Sequence, residues 1–379
     1  FRQSKRGFMN PYIDTYRNPQ KIKETFLAIQ TLSKKLKKSI KIMEVCGGHT
    51  HTIMKYALPQ LLPNNIEFVH GPGCPVCVMS KSRIDCAYKI ASQKDVILVT
   101  LGDMIKVPGS YGSLQEARAK GLEIIFVYSP LDILKIAQNN PTKKIVYFAI
   151  GFETTTPMTA ALLQKVIELD LKNIFFHINH ILVPPPLEVI LGDKNCQIDA
   201  LLAPSHVSVI TGSKIYESLV QKYQIPIVIC GFEPIDIGES LLSILHQIIN
   251  KTPKVETQYA RSVSYDGNLK AQKLIQQYFT LDDSFYWRGL GEIPHSSLKL
   301  KDEFSQFDAG IIFKDYLGGI PKEEHKNCLC GEILKGNKKP YDCKLFGKAC
   351  NPQNPLGSCM VSNEGACAAY FKYQGIQPE

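Results

Sequence analysis

The chain has 379 residues, which is longer than a typical single domain, so we expect two or three domains. Apolar residues make up 44% of the sequence and charged residues 21%, as is ordinary for a globular protein in water. No stretch approaches the roughly 18 uninterrupted apolar residues that span a bilayer, so we expect no membrane insertion. The net charge of +9 comes without an RNA-binding aromatic motif, zinc-finger spacing or a dense arginine patch, which argues against nucleic-acid binding.

The number and positions of the cysteines indicate what kind of chemistry the protein performs. The chain carries 12 cysteines, and half of them lie within residues 328–367. The N-terminal segment is polar and aromatic, without the apolar core of a secretory signal. We therefore expect a cytoplasmic protein, in which clustered cysteines indicate metal or redox chemistry more often than structural disulfides.

The order of the predicted elements indicates the fold class. Residues 21–38 place apolar side chains three and four positions apart, which predicts an amphipathic helix. Short apolar runs then alternate with helical segments such as 80–93 and 113–121. The predicted strands are 40–45, 66–70, 95–101, 122–128, 144–150, 173–178, 198–203 and 226–232. Continuous apolar strands separated by helices are typical of parallel sheets covered on both faces, so the sequence predicts an α/β fold.

We expect two parallel-sheet α/β domains with helices on both faces, and a small Cys-rich domain. The first α/β domain is predicted to cover residues 40–143 and the second residues 144–255. Beyond them the chain becomes polar, Tyr-rich and irregular before it enters the cysteine-rich tail. We assign residues 1–39 and 256–379 to the small domain, with the N-terminal helix packed against it.

Polar loops follow several predicted strands, and open parallel sheets bind ligands at the carboxyl ends of their strands. The first such loop runs from Cys46 to His51, before a helical-looking segment at 56–62. Its two glycines let the backbone bend and approach a ligand. A nearby helix N-terminus is expected to lower the pKa of Cys46 and favour the thiolate. The loop could bind a metal, carry a nucleophile, or hold a buried cysteine with capping histidines.

The second loop, GPGCPVC at residues 71–77, contains Cys74 and Cys77. A CxxC pair on a strand-to-helix turn is typical of thiol–disulfide chemistry. Two thiolates at this spacing are also half of a tetrahedral zinc site, which Cys46 and His49 could complete. The third possibility is that both cysteines are purely structural.

Two further loops carry candidate residues. Glu153 lies in GFETTTP at residues 151–157, where a carboxylate and three hydroxyls could position a small ligand or cap the following helix. His206 lies in PSHVS at residues 204–208. A lone histidine is more often structural, but its position at a strand end makes a functional role equally plausible. The sequence CGFE at residues 230–233 echoes the Glu153 loop after another strand.

The tail is the strongest indication of a metal. Its six cysteines are Cys328, Cys330, Cys343, Cys350, Cys359 and Cys367. Four thiolates suit either zinc or an iron–sulfur cluster, and spacing alone does not separate the two. Two surplus thiols beside a cluster could accept its electrons by opening and closing a disulfide.

The sequence resembles the HypD family of hydrogenase maturation proteins. The resemblance runs from about residue 40 onward and depends on four motifs in order: CGGHTH at 46–51, GPGCPVC at 71–77, GFETTTP at 151–157 and PSHVS at 204–208. The tail adds the family spacing C-x14-C-x6-C-x16-C, which selects Cys328, Cys343, Cys350 and Cys367. The family fold is α/β with the cluster in its own domain, in agreement with the elements predicted above.

The resemblance implies a scaffold with redox participation, on which the Fe(CN)2CO unit of [NiFe] hydrogenases is built. It implies that Cys46 is the thiolate ligand of that iron, with His49 nearby. Cys74 and Cys77 would form a pair that responds to redox state. With Glu153 and His206, these residues make up the expected site.

For the tail, the resemblance implies a [4Fe-4S] cluster on the four cysteines of the family spacing. Cys330 and Cys359 are left as a redox-active pair. It further implies that a small partner, HypC, holds the iron together with this chain, and that HypE, the cyanide donor, docks transiently. The chain itself is expected to be monomeric.

Two other functional classes fit the residues less completely. One is a thiol–disulfide oxidoreductase with an iron–sulfur cluster, which would reduce generic disulfides without a partner. The other is a zinc-stabilised interaction module without redox chemistry. The metal content of protein purified without oxygen separates these classes.

Overall fold

The computed structural model describes residues 15–319 and 327–373. In those ranges the strands are β1 (Ile40–Glu44), β2 (Ile66–His70), β3 (Val96–Leu101), β4 (Pro108–Gly109), β5 (Gly112–Ser113), β6 (Ile124–Val127), β7 (Lys144–Gly151), β8 (Ile174–His180), β9 (Ala200–Pro204), β10 (Ile227–Cys230), β11 (Val255–Thr257), β12 (Phe279–Leu281), β13 (Ser284–Trp287), β14 (Gly291–Pro294) and β15 (Leu298–Leu300). The α-helices are α1 (Pro19–Ser33), α2 (Gly47–Lys55), α3 (Pro75–Val78), α4 (Lys81–Ala91), α5 (Leu114–Ala119), α6 (Asp132–Asn139), α7 (Thr156–Glu168), α8 (Pro184–Leu191), α9 (Ser205–Thr211), α10 (Glu217–Tyr223), α11 (Pro234–Asn250), α12 (Leu269–Tyr278), α13 (Ala309–Ile312), α14 (Cys330–Leu334) and α15 (Ala366–Tyr373).

Two parallel sheets organise the molecule. The larger has the strand order β11-β10-β9-β1-β2, and all its neighbouring strands are parallel. The second has the order β6-β3-β7-β8, again with parallel pairing throughout. Their strands are buried on both faces by helices, which is why they appear in the sequence as continuous apolar runs. The predicted α/β fold with two parallel sheets is confirmed, and each of the eight predicted strands has a counterpart.

The chain does not complete one sheet before it starts the other. β1 and β2 belong to the larger sheet, β3, β6, β7 and β8 form the second, and β9 to β11 return to the larger one. This arrangement differs from the expected consecutive division into 40–143 and 144–255. A parallel strand is joined through a crossover, so it can be added at either edge or return to a distant sheet.

Two other expectations also differ from the structure. The segment after residue 255, expected to be irregular, contains α12 and the antiparallel pairs β12–β15 and β13–β14. The N-terminal helix α1 packs against α11, where Gly238 contacts Thr25 and Phe26. That contact places α1 on the larger sheet, where we expected it to pack with the Cys-rich domain. None of the described helices is both long and apolar enough to cross a membrane.

One apolar core joins the inner faces of the two sheets. Leu201 of the larger sheet and Phe148 of the second sheet both belong to it. So do Val45, Phe152 and Val207, each of which lies just beyond the end of a strand. The loops at the carboxyl ends of both sheets therefore border the same interior.

Candidate functional site

Cys46 lies at the junction of β1 and α2. Its backbone is extended, with φ −155° and ψ 129°, and it is the residue that precedes the first turn of the helix. The N–H of His49 donates to the carbonyl of Cys46 over 2.9 Å. The helix thus begins inside the CGGHTH motif, while the segment expected to be helical at 56–62 holds only a short 3-10 turn, Leu58–Leu61.

The electrostatic environment of Cys46 is the opposite of the one expected. The residue keeps part of its surface exposed. Burial of its sulfur, reinforced by the carboxylates of Glu364 and Glu44, raises the pKa of the thiol to about 12. The backbone N–H groups of Gly48 and His49 act in the other direction but are outweighed. The expected lowering of this pKa is therefore wrong, because nearby acids and burial dominate the helix terminus. Such a thiol is a poor free nucleophile, but it binds a metal whose charge displaces the proton.

The CxxC turn packs directly on Cys46. The N–H of Gly47 donates to the carbonyl of Gly73 over 3.2 Å, and a side chain at Gly73 would collide with the Cys46 backbone. Cys74 and Cys77 are buried free thiols, and the N–H of Cys77 donates to the Cys74 sulfur over 3.3 Å. Burial and this sulfur neighbour raise the pKa of Cys77. Glycine at position 73 is thus what allows the two sulfur-bearing turns to touch.

The two predicted histidines meet at an aromatic ring. The centroid of Phe232 lies 4.9 Å from that of His49 and 4.3 Å from that of His206. His49 Nε2 donates to the carbonyl of Cys230 over 2.9 Å. The structure thereby brings together three loops that follow β1, β9 and β10. The role of Phe232 was missed, because the CGFE echo marked its position but gave no sign that both histidines pack on it.

The zinc site that the sequence allowed is not formed. Among residues 15–319 and 327–373, no group of three or more His, Cys, Asp or Glu side chains is arranged to hold one metal ion. Burial lowers the pKa of His49 and keeps its ring neutral. Since Nε2 is held by the Cys230 carbonyl, His49 packs beside the Cys46 turn as a support for it.

Glu153 is the acid of the second sheet that faces the interior. It is buried at the end of β7, and its Oε1 accepts a hydrogen bond from the N–H of Val183 over 3.0 Å. Its Oε2 is buried and has no hydrogen-bond partner in the described part of the chain. The hydroxyl of Thr156 donates to the carbonyl of Phe152 and so supports the following helix. Burial raises the pKa of Glu153 to about 7, so the side chain can hold or release a proton near neutral pH.

This pKa predicts a pH-dependent stability. The folded protein binds the Glu153 proton more tightly than the unfolded chain does, because burial raises the pKa from 4.5 to about 7. The free energy of unfolding should therefore fall by about 3 kcal/mol as the pH rises through this window. Glu153→Gln should remove that fall and be more stable than wild type at pH 8, but not at pH 4.5. Urea unfolding at both pH values measures it, and the exposed Glu303→Gln serves as control. If the free energy of unfolding changes with pH in the same way in wild type and Glu153→Gln, the raised pKa does not belong to Glu153.

The four cysteines of the tail spacing line one small cavity. Those cysteines are Cys328, Cys343, Cys350 and Cys367, and the apolar part of the wall is formed by Ile333, Leu345, Phe346 and Met360. The N–H of Leu356 donates to the Cys350 sulfur over 3.4 Å. A side chain at Gly357 would press on the Cys328 sulfur, since its Cβ would lie 2.7 Å away. The backbone is thus fitted closely around the sulfurs.

This donor set suits a multinuclear cluster better than a single ion. The thiols surround a common volume without three of them converging on one point, within the described ranges. Each thiolate of a [4Fe-4S] cluster binds a different iron, so convergence is not required. Burial, together with the charge of neighbouring thiols, raises the pKa of Cys367. Bound iron cations would offset the cost of collecting these sulfurs as thiolates.

Cys330 and Cys359 are joined by a disulfide, with their Cα atoms 6.6 Å apart. Both residues border the four-cysteine cavity. Cys359 also borders a second small cavity, which is lined by Cys74 and Cys77. The hydroxyl of Ser358 donates to the carbonyl of Cys77 and fastens the two segments together. The disulfide therefore lies between the four-cysteine cavity and the CxxC turn.

Comparison with known proteins agrees with this arrangement. A family model named HypD, described as the hydrogenase formation hypA family, matches residues 20–374. The chain is 47% identical over 344 residues to the hydrogenase maturation factor HypD of Azotobacter vinelandii, which covers 89% of this chain and 90% of the relative. It is 43% identical over 374 residues to hydrogenase maturation factor HypD of Escherichia coli (strain K12), with 97% and 99% covered. The chain therefore belongs to the HypD family of hydrogenase maturation factors.

Proposed function

We propose that this protein is the scaffold on which the Fe(CN)2CO unit of [NiFe] hydrogenases is assembled, with Cys46 as the ligand of the substrate iron. The observation that carries the proposal is a succession of neighbouring sulfur-bearing segments. It leads from the four-cysteine cavity through the Cys330–Cys359 disulfide to the Cys74–Cys77 pair. The series ends at Cys46, on which the CxxC turn packs.

Cys46 is suited to iron that carries cyanide and CO. A soft thiolate is the ligand type that low-valent iron prefers. The neighbouring His49 is held at Nε2 by the Cys230 carbonyl. The carboxylates of Glu364 and Glu44 that act on Cys46 are harder ligands, which suit such iron less than a thiolate does.

The remaining iron ligands come from outside this chain. Within the described ranges no three metal-binding side chains converge at Cys46, so a partner has to complete the coordination together with the diatomic molecules. On the resemblance to HypD proteins, we propose HypC as this partner and HypE as the transient cyanide donor. A generic disulfide reductase is less favoured, since Cys74 and Cys77 are both buried and present no sulfur to a large substrate.

The thiol pairs can move two electrons within the chain. A [4Fe-4S] cluster on the four tail cysteines would supply single electrons when bound. If Cys74 and Cys77 form a disulfide, they lose two electrons and two protons. The Cys330–Cys359 disulfide gains them and becomes two thiols, so the exchange is balanced without another reagent. Ser358, bonded to the Cys77 carbonyl, holds the exchanging segments in contact.

The test is metal analysis of protein purified without oxygen. We expect iron and acid-labile sulfide in near-equal amounts, and an electron paramagnetic resonance signal of a reduced cluster. Cys343→Ser should lose both, because each cysteine of the cavity holds one iron. Cys86→Ser, which removes a partly buried thiol outside the cavity, should retain them. A colourless protein that contains only zinc would contradict the proposal and favour the interaction module.

A further inference from the structure

A chain of buried hydrogen bonds joins the C-terminal helix to the Cys46 turn. The hydroxyl of Tyr370, on α15, lies 3.2 Å from His70 Nε2. His70 Nδ1 lies 2.5 Å from Glu44 Oε1, and Glu44 Oε2 accepts from the N–H of Cys46 over 3.1 Å. The exposed fractions of Tyr370, His70 and Glu44 are 6%, 3% and 1%. The path is therefore shielded from water over its whole length.

The carboxylate of Glu44 can only accept, and it accepts three hydrogen bonds, from the His70 ring, the Cys46 N–H and the hydroxyl of Thr50. His70 therefore donates from Nδ1, and its Nε2 shares a hydrogen bond with the hydroxyl of Tyr370. His70 and Glu44, the interior members, each have a partner on both sides. Removing one leaves a buried polar atom unsatisfied, which is costlier than the bond itself.

Glu44 takes the place of a helix cap. Cys46 stands at the N-cap position of α2, but its side chain makes no capping hydrogen bond. Two glycines follow it, and they restrain the backbone least of all residues. One carboxylate instead ties the N–H of Cys46 to the hydroxyl of Thr50, one turn further along the helix. The position of the Cys46 thiol thus depends on how firmly Glu44 is held.

Helix α15, which carries Tyr370, also borders the four-cysteine cavity. Cys367 and Tyr370 are three residues apart on α15, so they share one face. Cys367 lines the cavity, and Tyr370 reaches His70. Tyr373, one turn further on, lies with its hydroxyl 3.3 Å from His51. A single rigid helix therefore spans the distance from the cavity to the Cys46 turn.

We propose that Tyr370 and His70 are positioning residues for Cys46, which act through Glu44 and tie the Cys46 turn to the helix that carries Cys367. The proposal rests on the proposed function only in taking Cys46 as the working thiol. This route differs from the sulfur series, because it passes through hydrogen bonds between Tyr370, His70 and Glu44 and through no sulfur atom. It makes the geometry of the Cys46 turn depend on how α15 packs against it.

The test measures how fast Cys46 is alkylated in full-length protein without bound substrate iron. Tyr370→Phe keeps the ring and removes the hydroxyl that is hydrogen-bonded to His70. We expect iodoacetamide to modify Cys46 about five-fold faster in this variant, as for a population shift set by one hydrogen bond. Mass spectrometry compares the Cys46 peptide with that of Cys196, a partly buried thiol outside the network. Tyr223→Phe is the control, since it removes a hydroxyl that donates to the Glu188 carbonyl over 3.0 Å, outside this network, and it should react as wild type does.

A second pair of variants separates positioning from general loosening. His70→Asn keeps an N–H donor where Nδ1 lies but loses the contact with Tyr370, so it should react about as fast as Tyr370→Phe. His70→Leu removes both contacts and should react fastest. The proposal is overturned if Tyr370→Phe leaves the Cys46 rate unchanged, if Tyr223→Phe raises it equally, or if the alkylation of Cys196 accelerates in step. Because no substrate iron is needed, these outcomes do not depend on whether Cys46 binds it.

Discussion

Cys46→Ala protein, purified with its co-expressed partner, is expected to lack the infrared stretching bands of iron-bound cyanide and CO. Under the proposed role of Cys46 as the ligand of the substrate iron, the loss should exceed about 100-fold. The fold should survive, because Ala retains the Cβ and the residue is partly exposed. Infrared spectra normalised to protein concentration give the measurement, and cluster absorbance confirms that the tail is intact.

Two comparisons make the result specific. Cys196→Ala removes another partly exposed thiol, and it should keep the bands at wild-type strength. Cys46→Ser replaces the soft sulfur with a harder oxygen of similar size, and it should behave like the alanine variant because low-valent iron prefers the thiolate. Full-strength bands in either Cys46 variant would show that the iron is anchored elsewhere.

How much of this fold the sequence predicts depends on whether the interactions are local or join distant parts of the chain. The strands could be located because a parallel strand with both faces covered is apolar along its whole length, as in the run from Ile145 to Ile150. Sheet membership could not, because β2 and β9 are separated by the whole second sheet and yet both pair with β1. Local sequence patterns do not show that the chain returns to a sheet that it began earlier.

The features of the candidate site also fall into two groups, those recognisable from local sequence and those set by distant residues. Cys46, Cys74 and the tail cysteines were found because their residue types and spacing are rare outside metal and redox sites. The raised pKa of Cys46 could not be predicted, since it depends on burial in the folded protein and on Glu364, more than 300 residues away. Glu44 was open to prediction, because an acid at the end of an apolar strand needs a partner. Its partner His70 is set by the register of β1 and β2, which pairs Glu44 with His70.

Gly73→Ala is expected to lower the stability of the protein and to disable the site together. A Cβ at this position would lie 2.5 Å from both the Cα of Cys46 and the carbonyl carbon of Val45. These are backbone atoms at the end of β1, so they cannot rotate away as a side chain would. We expect a loss of about 3 kcal/mol, seen as a fall of roughly 5 °C in the apparent Tm.

The matched control is Gly318→Ala, whose Cβ would meet no atom within 4 Å, and its Tm should equal that of wild type. If Gly73→Ala has the same Tm as Gly318→Ala and retains the cyanide and CO bands, the CxxC turn does not pack on Cys46 as described. If it loses the bands while it keeps its cluster, the contact between the two turns sets the geometry in which Cys46 receives iron. That second outcome is the one we expect, because the clash moves the backbone of Cys46 but lies outside the four-cysteine cavity.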